Sequence, residues 1–370
     1  MLEFIQIILI ILLVGIVILL KEYKDQKTVL IIFFIYAYHI LFACAYYNFP
    51  SDSHYYYHTI VNGYVRDSLI SLGNITLGGS LIFYINNICI EYLHLSYLGT
   101  SLLYASLSFI GFWILFKIIQ SYKIKYLWLC LFIPSLHFWS VGLGKESLIF
   151  FFISILLHGV VKNKLNYIFL GLLSIFLIRP HVGVLFGSTY IISILFGSNI
   201  SLQTRLLVVI TSLAFSWPVI NFFFGYLGIT KFSQIFDFAL MMQRQNGWGG
   251  SSYKVAEYSN FFQVFTYLFR PFFESLKLTW LVASFDNLIY FSIFLWVIVN
   301  GKFIGFKDRV NIFLILSFFI FSLVMGFSIA NLGIALRQKI MIMPFLILIF
   351  VQTKSNKIKF LKERTVNVDK

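Results

Sequence analysis

The sequence predicts an all-α fold, a polytopic helical bundle in a membrane, and three observations predict it. Of 370 residues, 60% are hydrophobic and only 11% charged, whereas soluble domains carry roughly 25% charged residues. Mean hydropathy is +0.89. Apolar runs close to spanning length recur from one end of the chain to the other. Such runs cross lipid as helices, because a helix satisfies its own backbone polar groups.

About eleven spans follow, near 2–20, 29–47, 95–118, 126–141, 147–161, 165–178, 182–198, 206–225, 277–299, 310–330 and 338–353. The first carries Glu3 in place of a basic leader and has no small-residue cleavage site, so it reads as a retained span. The connectors "KEYKDQK", "QSYKIK", "KNK" and "GKFIGFKDR" and the tail 354–370 are short and basic. The positive-inside rule makes them cytoplasmic, which puts the N-terminus outside and the C-terminus inside. Residues 1–353 then form a single transmembrane domain, with extracytoplasmic loops near 48–94 and 226–276. Within the first loop, 77–92 is apolar but interrupted by Asn86, Asn87 and Glu91, and reads as a re-entrant or interfacial helix.

The net charge of +14 sits in connectors and not in a compact basic domain, so it orients the chain and binds no nucleic acid. Cys44, Cys89 and Cys130 lack CxxC spacing, which argues against disulfide or thiolate-metal sites. No GxxxxGK[ST] loop occurs, and no cofactor is expected.

The unusual polar motifs gather on the predicted outer side. "PSLHFWSVGLGKESLIFF" (134–151) sets Lys145 and Glu146 inside an apolar run, next to His137. Such charges face water, a partner or a substrate; Glu146 also suits a helix start on structural grounds alone. "IRPHVG" offers Arg179 before a helix opened by Pro180 and His181, either a membrane anchor or a phosphate site. Arg270 in "YLFRPFF" and Arg337 in "LGIALRQK" complete a cationic set suited to a diphosphate. In "SDSHYYYH", Asp52, His54 and His58 form a solvated loop, or supply a base or sugar-binding carboxylate; no metal is expected there, for want of a further clear ligand. "RQNGWGGSSYK" (244–254), with Trp248, reads as a substrate lid or an idle surface loop, and Asp286 needs a partner, an arginine by preference.

Together "PSLHFWSVGLGKESLIFF", "IRPHVG", "YLFRPFF…LVASFDN" and "LGIALRQK" resemble, in motif order over about 134–344, the bacterial O-antigen and capsular repeat-unit polymerases (Wzy-type, EpsG-like). The resemblance implies a glycosyltransferase of the bacterial cytoplasmic membrane that joins undecaprenyl-diphosphate-linked oligosaccharide repeats at the outer face. A chain-length regulator is a further expected partner. Metal independence is expected, since no acidic DxD-like pair stands in the first large external loop. In this scheme Arg179, Arg270 and Arg337, assisted by Lys145, hold the diphosphate, and Trp248 and His137 contact substrate. Glu146, His181 or Asp52 takes the acceptor proton, with Glu146 first. A lipid-linked oligosaccharide flippase is the alternative. An acyltransferase using His158 is a third reading.

Overall fold

The computed structural model describes residues 2–22, 24–49, 52–63, 77–198, 200–231 and 233–368. Residues 64–76, part of the predicted loop 48–94, lie outside the described residues. Among the described residues the chain is helical throughout, with one isolated antiparallel bridge between Ser252 and Asn331. It divides into two compact units, Met1–Ser121 with Lys125–Gly183, and Tyr122–Ile124 with Val184–Lys370.

The first unit contains α1 (Leu2–Glu22), α2 (Gln26–Tyr47), α3 (Asp52–Val61), α4 (Gly79–Asn87), α5 (Tyr97–Ser121), α6 (Pro134–Ser140), α7 (Lys145–Lys162), α8 (Leu165–Ile178) and the start of α9 (Pro180–Phe196). Asp25 caps α2 by accepting from the Thr28 backbone N–H at 3.2 Å. At the end of α1, Glu22 accepts from Trp113 Nε1 at 3.0 Å and Lys117 Nζ at 2.5 Å, tying α1 to α5. The α7 and α8 backbones pack closely: a Cβ on Gly171 would come within 2.8–2.9 Å of Leu156. Small residues are what permit such approach between apolar helices.

One expected span takes another form. Residues 126–141 are not a continuous helix but a 3-10 segment, Leu127–Phe132, followed by the seven-residue α6. Pro134 at the first turn of α6 cannot extend a helix backwards, because it lacks an N–H. Gly142 and Gly144 then separate α6 from α7, which leaves at 117°. A seven-residue helix rises only about 10 Å, so this is a broken element. The segment 77–92 is α4 followed by a π-turn, Ile88–Tyr92, a helical piece too short for a ~30 Å hydrocarbon core.

The second unit contains the rest of α9, then α10 (Leu202–Leu227), α11 (Gln234–Asn246), α12 (Asn260–Phe269), α13 (Leu278–Val299), α14 (Arg309–Ser328), α15 (Leu332–Gln338) and α16 (Met343–Val368). Its core includes Phe186, Phe313, Phe318, Phe321 and Phe345, with Phe186 stacked on Phe345 at 4.9 Å. Helix α10 bends by 47° between Ala214 and Trp217. Pro218 explains the bend, since its ring displaces the hydrogen bond to residue 214. The last helix runs on without interruption through the basic tail.

Among the described residues, five helices are long and apolar enough to cross a membrane, or up to eight when each bent pair is one span; α8 and α9 are shorter apolar helices. This is the architecture of a multi-pass helical membrane protein.

Candidate functional site

The chain segment between α8 and α9 carries the most chemistry. Arg179 is the last residue before Pro180, and its backbone carbonyl already accepts from Val182 and Gly183. Its guanidinium is nearly buried and donates from Nη2 to Glu146 Oε1 at 2.5 Å. The pair joins positions 33 apart in sequence, linking the start of α7 to the α8–α9 junction. Nε of Arg179 is buried and has no hydrogen-bond partner among the described residues. A buried donor left unpaired costs about 1–3 kcal/mol, so such an atom marks a place where an acceptor belongs.

Other donors surround it. Lys145 opens α7 next to Glu146, and its Nζ lies 4.0 Å from where a Cβ on Gly79 would sit. Gly78 donates its N–H to Leu177 O at 3.0 Å, which holds the start of α4 against the end of α8. Its φ of 89° belongs to glycine's range. His181, in the first turn of α9, feels the charges of both Arg179 and Lys145. Tyr56 of α3 lies 3.6 Å from a Cβ built on Gly144. Neither α4 nor α7 has a side-chain cap at its N-terminus. Helix starts present free N–H groups and partial positive charge, which with Lys145 and Arg179 makes a setting for an anion. Lys145, Glu146, Arg179 and His181, four of the residues expected from sequence, thus lie together in the first unit.

The second unit gathers a different set. Arg270 ends α12, donating from Nε to Glu274 Oε1 at 2.6 Å and from Nη1 to the Tyr258 hydroxyl at 3.0 Å. Glu274 foremost pushes the Arg270 guanidinium above its ordinary range. The Arg270 carbonyl accepts from Lys339 Nζ at 2.9 Å, and Lys339 also donates to Asn287 Oδ1 at 2.7 Å. Asp286 is buried, and its charge acts on Lys339. Arg337 sits half-buried on α15, two residues before Lys339.

Three expectations change in detail. His137 is no substrate wall: it is fully buried, stacks on Phe112 at 4.1 Å and has both ring nitrogens engaged. Its Nε2 lies 2.6 Å from Leu131 O and its Nδ1 lies 2.8 Å from His39 Nδ1. A carbonyl only accepts, so with both rings neutral His137 donates to Leu131 and accepts from His39. The loop carrying Trp248 is fastened and not loose. Asn331 donates to Trp248 O at 3.0 Å and accepts from Ser251 Oγ at 2.7 Å, while Trp248 itself is 80% exposed. Asp52 is exposed at the start of α3, two residues from His54, which contacts Tyr47 O at 3.1 Å and stacks on Tyr97.

His39, Tyr258, Glu274 and Asn331 were not singled out from the sequence. His39 had a signal, an ionisable side chain in the middle of the run "YAYHILF". No family model, curated protein or solved structure matches this chain.

Proposed function

We propose that this protein is a membrane glycosyltransferase that polymerises oligosaccharide repeats carried on undecaprenyl diphosphate, working at the outer face of the bacterial cytoplasmic membrane. The observation that carries the reading is the buried Arg179–Glu146 pair, with an unpartnered Nε, beside Lys145 and the starts of α4, α7 and α9.

The chemistry follows from that pair. A hydroxyl of one lipid-linked oligosaccharide attacks the anomeric carbon of the other chain's reducing-end sugar. The bond from that carbon to the diphosphate oxygen breaks, and its electron pair leaves with the diphosphate. The leaving group already carries its charge, so stabilisation by Arg179 and Lys145 replaces a strong general acid. Diphosphate oxygens compete with Glu146 for Arg179, whose planar fork suits two parallel bonds to an anion. A carboxylate deprived of its cation holds a proton more readily. Glu146 then takes the acceptor proton, and the bond to carbon closes. His181, which feels the charges of Arg179 and Lys145, is the second candidate for that proton; Asp52 is exposed and less suited to a desolvated step.

The test is reconstitution of purified protein in liposomes with lipid-linked repeats, which should yield a ladder of longer lipid-linked products. A flippase is the second reading. Helix pairs bent by 117°, 47° and 51° favour it, because interrupted helices are characteristic of transporters. Movement of single repeats across the bilayer without any ladder would select the flippase.

A further inference from the structure

The second unit holds a cavity of about 230 Å³ whose walls have no polar side chain. Phe294 and Ile298 of α13, Phe319 of α14 and Leu346 of α16 form its sides, and Gly301 and Ile304 of the following turn lie at one end. The chain around that end is strongly basic. Residues 300–309 and 354–362 together contain Lys302, Lys307, Arg309, Lys354, Lys357, Lys359 and Lys362 against one acid, Asp308.

Packing brings the two segments together. Asn356 Nδ2 donates to Phe303 O at 3.0 Å, and Phe303 packs on Phe360 at 5.5 Å. Lys357 Nζ donates to Asn300 Oδ1 at 2.8 Å and lies 5.6 Å from the Trp296 ring. Lys302 Nζ lies 5.2 Å from the Phe303 ring, and Lys354 Nζ lies 5.6 Å from the Phe350 ring. Among the described residues, none of Lys302, Lys354 and Lys357 forms an ion pair with a carboxylate. Their partners are ring faces and amide oxygens, which orient an ammonium without cancelling its charge.

We propose that this cavity seats one acyl chain of an anionic phospholipid whose phosphate rests against Lys302 and Lys357. An apolar slot opening beside uncompensated lysines matches a molecule with hydrocarbon at one end and negative charge at the other. A zwitterionic lipid supplies the hydrocarbon without the net charge, and free phosphate supplies the charge without the chain. The inference does not depend on the catalytic reading.

The test uses the full chain in nanodiscs of phosphatidylcholine and phosphatidylglycerol in equal amounts, with retained lipid counted by native mass spectrometry. Retention should favour phosphatidylglycerol by at least about fivefold, the effect of one well-placed lysine at a lipid surface. In Lys302→Gln/Lys357→Gln the preference should fall toward parity. In Ile298→Trp, which narrows the slot, less phosphatidylglycerol should remain bound, and inorganic phosphate should displace none from the wild type. Equal retention of the two lipids by the wild type would overturn the proposal, as would phosphatidylglycerol retention unchanged in both variants. Preferential retention of a polyprenyl phosphate in discs holding both lipids would overturn the diacyl occupant. Should Ile298→Trp fail to fold, the wild-type ratio and the double lysine variant decide the matter.

Discussion

Arg179–Pro180 in the first unit and Arg270–Pro271 in the second are the same dipeptide at a helix boundary, and each arginine meets a glutamate. They differ in depth and in remaining capacity. The Arg179 and Glu146 side chains are 10% and 13% exposed, against 20% and 30% for Arg270 and Glu274. Arg270 has Nε on Glu274, Nη1 on Tyr258 and its carbonyl on Lys339. Arg179 has Glu146 and an unpartnered Nε. Arg270 is a strut whose bonds brace the end of α12. Arg179 holds one counter-ion and a spare donor, the arrangement that the proposed anion clamp would use. A cation's usefulness to a ligand depends on what its neighbours leave unused.

The comparison breaks most visibly when Arg179 is removed. Arg179→Ala removes the guanidinium from the largely buried pair with Glu146, and loss of one partner of a buried pair costs up to roughly 3–5 kcal/mol. Membrane abundance and thermal midpoint in detergent should both fall. Arg179→Ala/Glu146→Ala should recover most of that stability yet make no polymer. A single variant as stable as the wild type would mean that the pair is effectively solvated.

Glu146→Gln comes next. The amide still accepts from Arg179 but cannot take a proton, so ladder formation should slow by about 10²–10⁴ at near-normal abundance. An unimpaired ladder would move the base to His181 or Asp52. Glu274→Gln should do far less. Its partner is a local, partly exposed one, and such pairs contribute about 0–1 kcal/mol, so product yield should stay within about fivefold. A larger loss there than at Glu146 would reverse the roles of the two junctions.

The smallest effect on stability is expected at Trp248, which is 80% exposed. Trp248→Ala should shift stability by no more than about 0.5 kcal/mol. If the ring stacks on sugar, KM for the lipid-linked repeat should rise while kcat changes little. An unchanged KM would leave the loop as a surface feature.

What could be read from sequence follows what is local. Composition alone imposes a helical membrane chain, and the charges that follow Gly144 and flank Pro180 were visible as costly groups in apolar runs. The break at 126–141 was signalled too, by Pro134 and by Gly142 and Gly144, but a uniformly apolar run has no periodicity to separate a helix from a 3-10 segment. His137 misled because it stands eight residues before Lys145 in the chain. The bend between α6 and α7 turns it instead toward His39, 98 residues away. Arg179 and Glu146 were each singled out but assigned separate tasks, since no local pattern reports a contact across 33 residues. The same holds for Lys339 and Asn287, which meet across 52.

The most direct test of the clamp is an equilibrium titration of purified protein with a short-chain prenyl diphosphate, comparing wild type with Arg179→Lys and Arg270→Lys. Lysine keeps the charge but cannot reproduce the planar fork. The account predicts that Arg179→Lys folds normally and binds at least about tenfold more weakly, roughly 1.4 kcal/mol, while Arg270→Lys binds like the wild type. Equal affinity in Arg179→Lys, or a loss confined to Arg270→Lys, would contradict it.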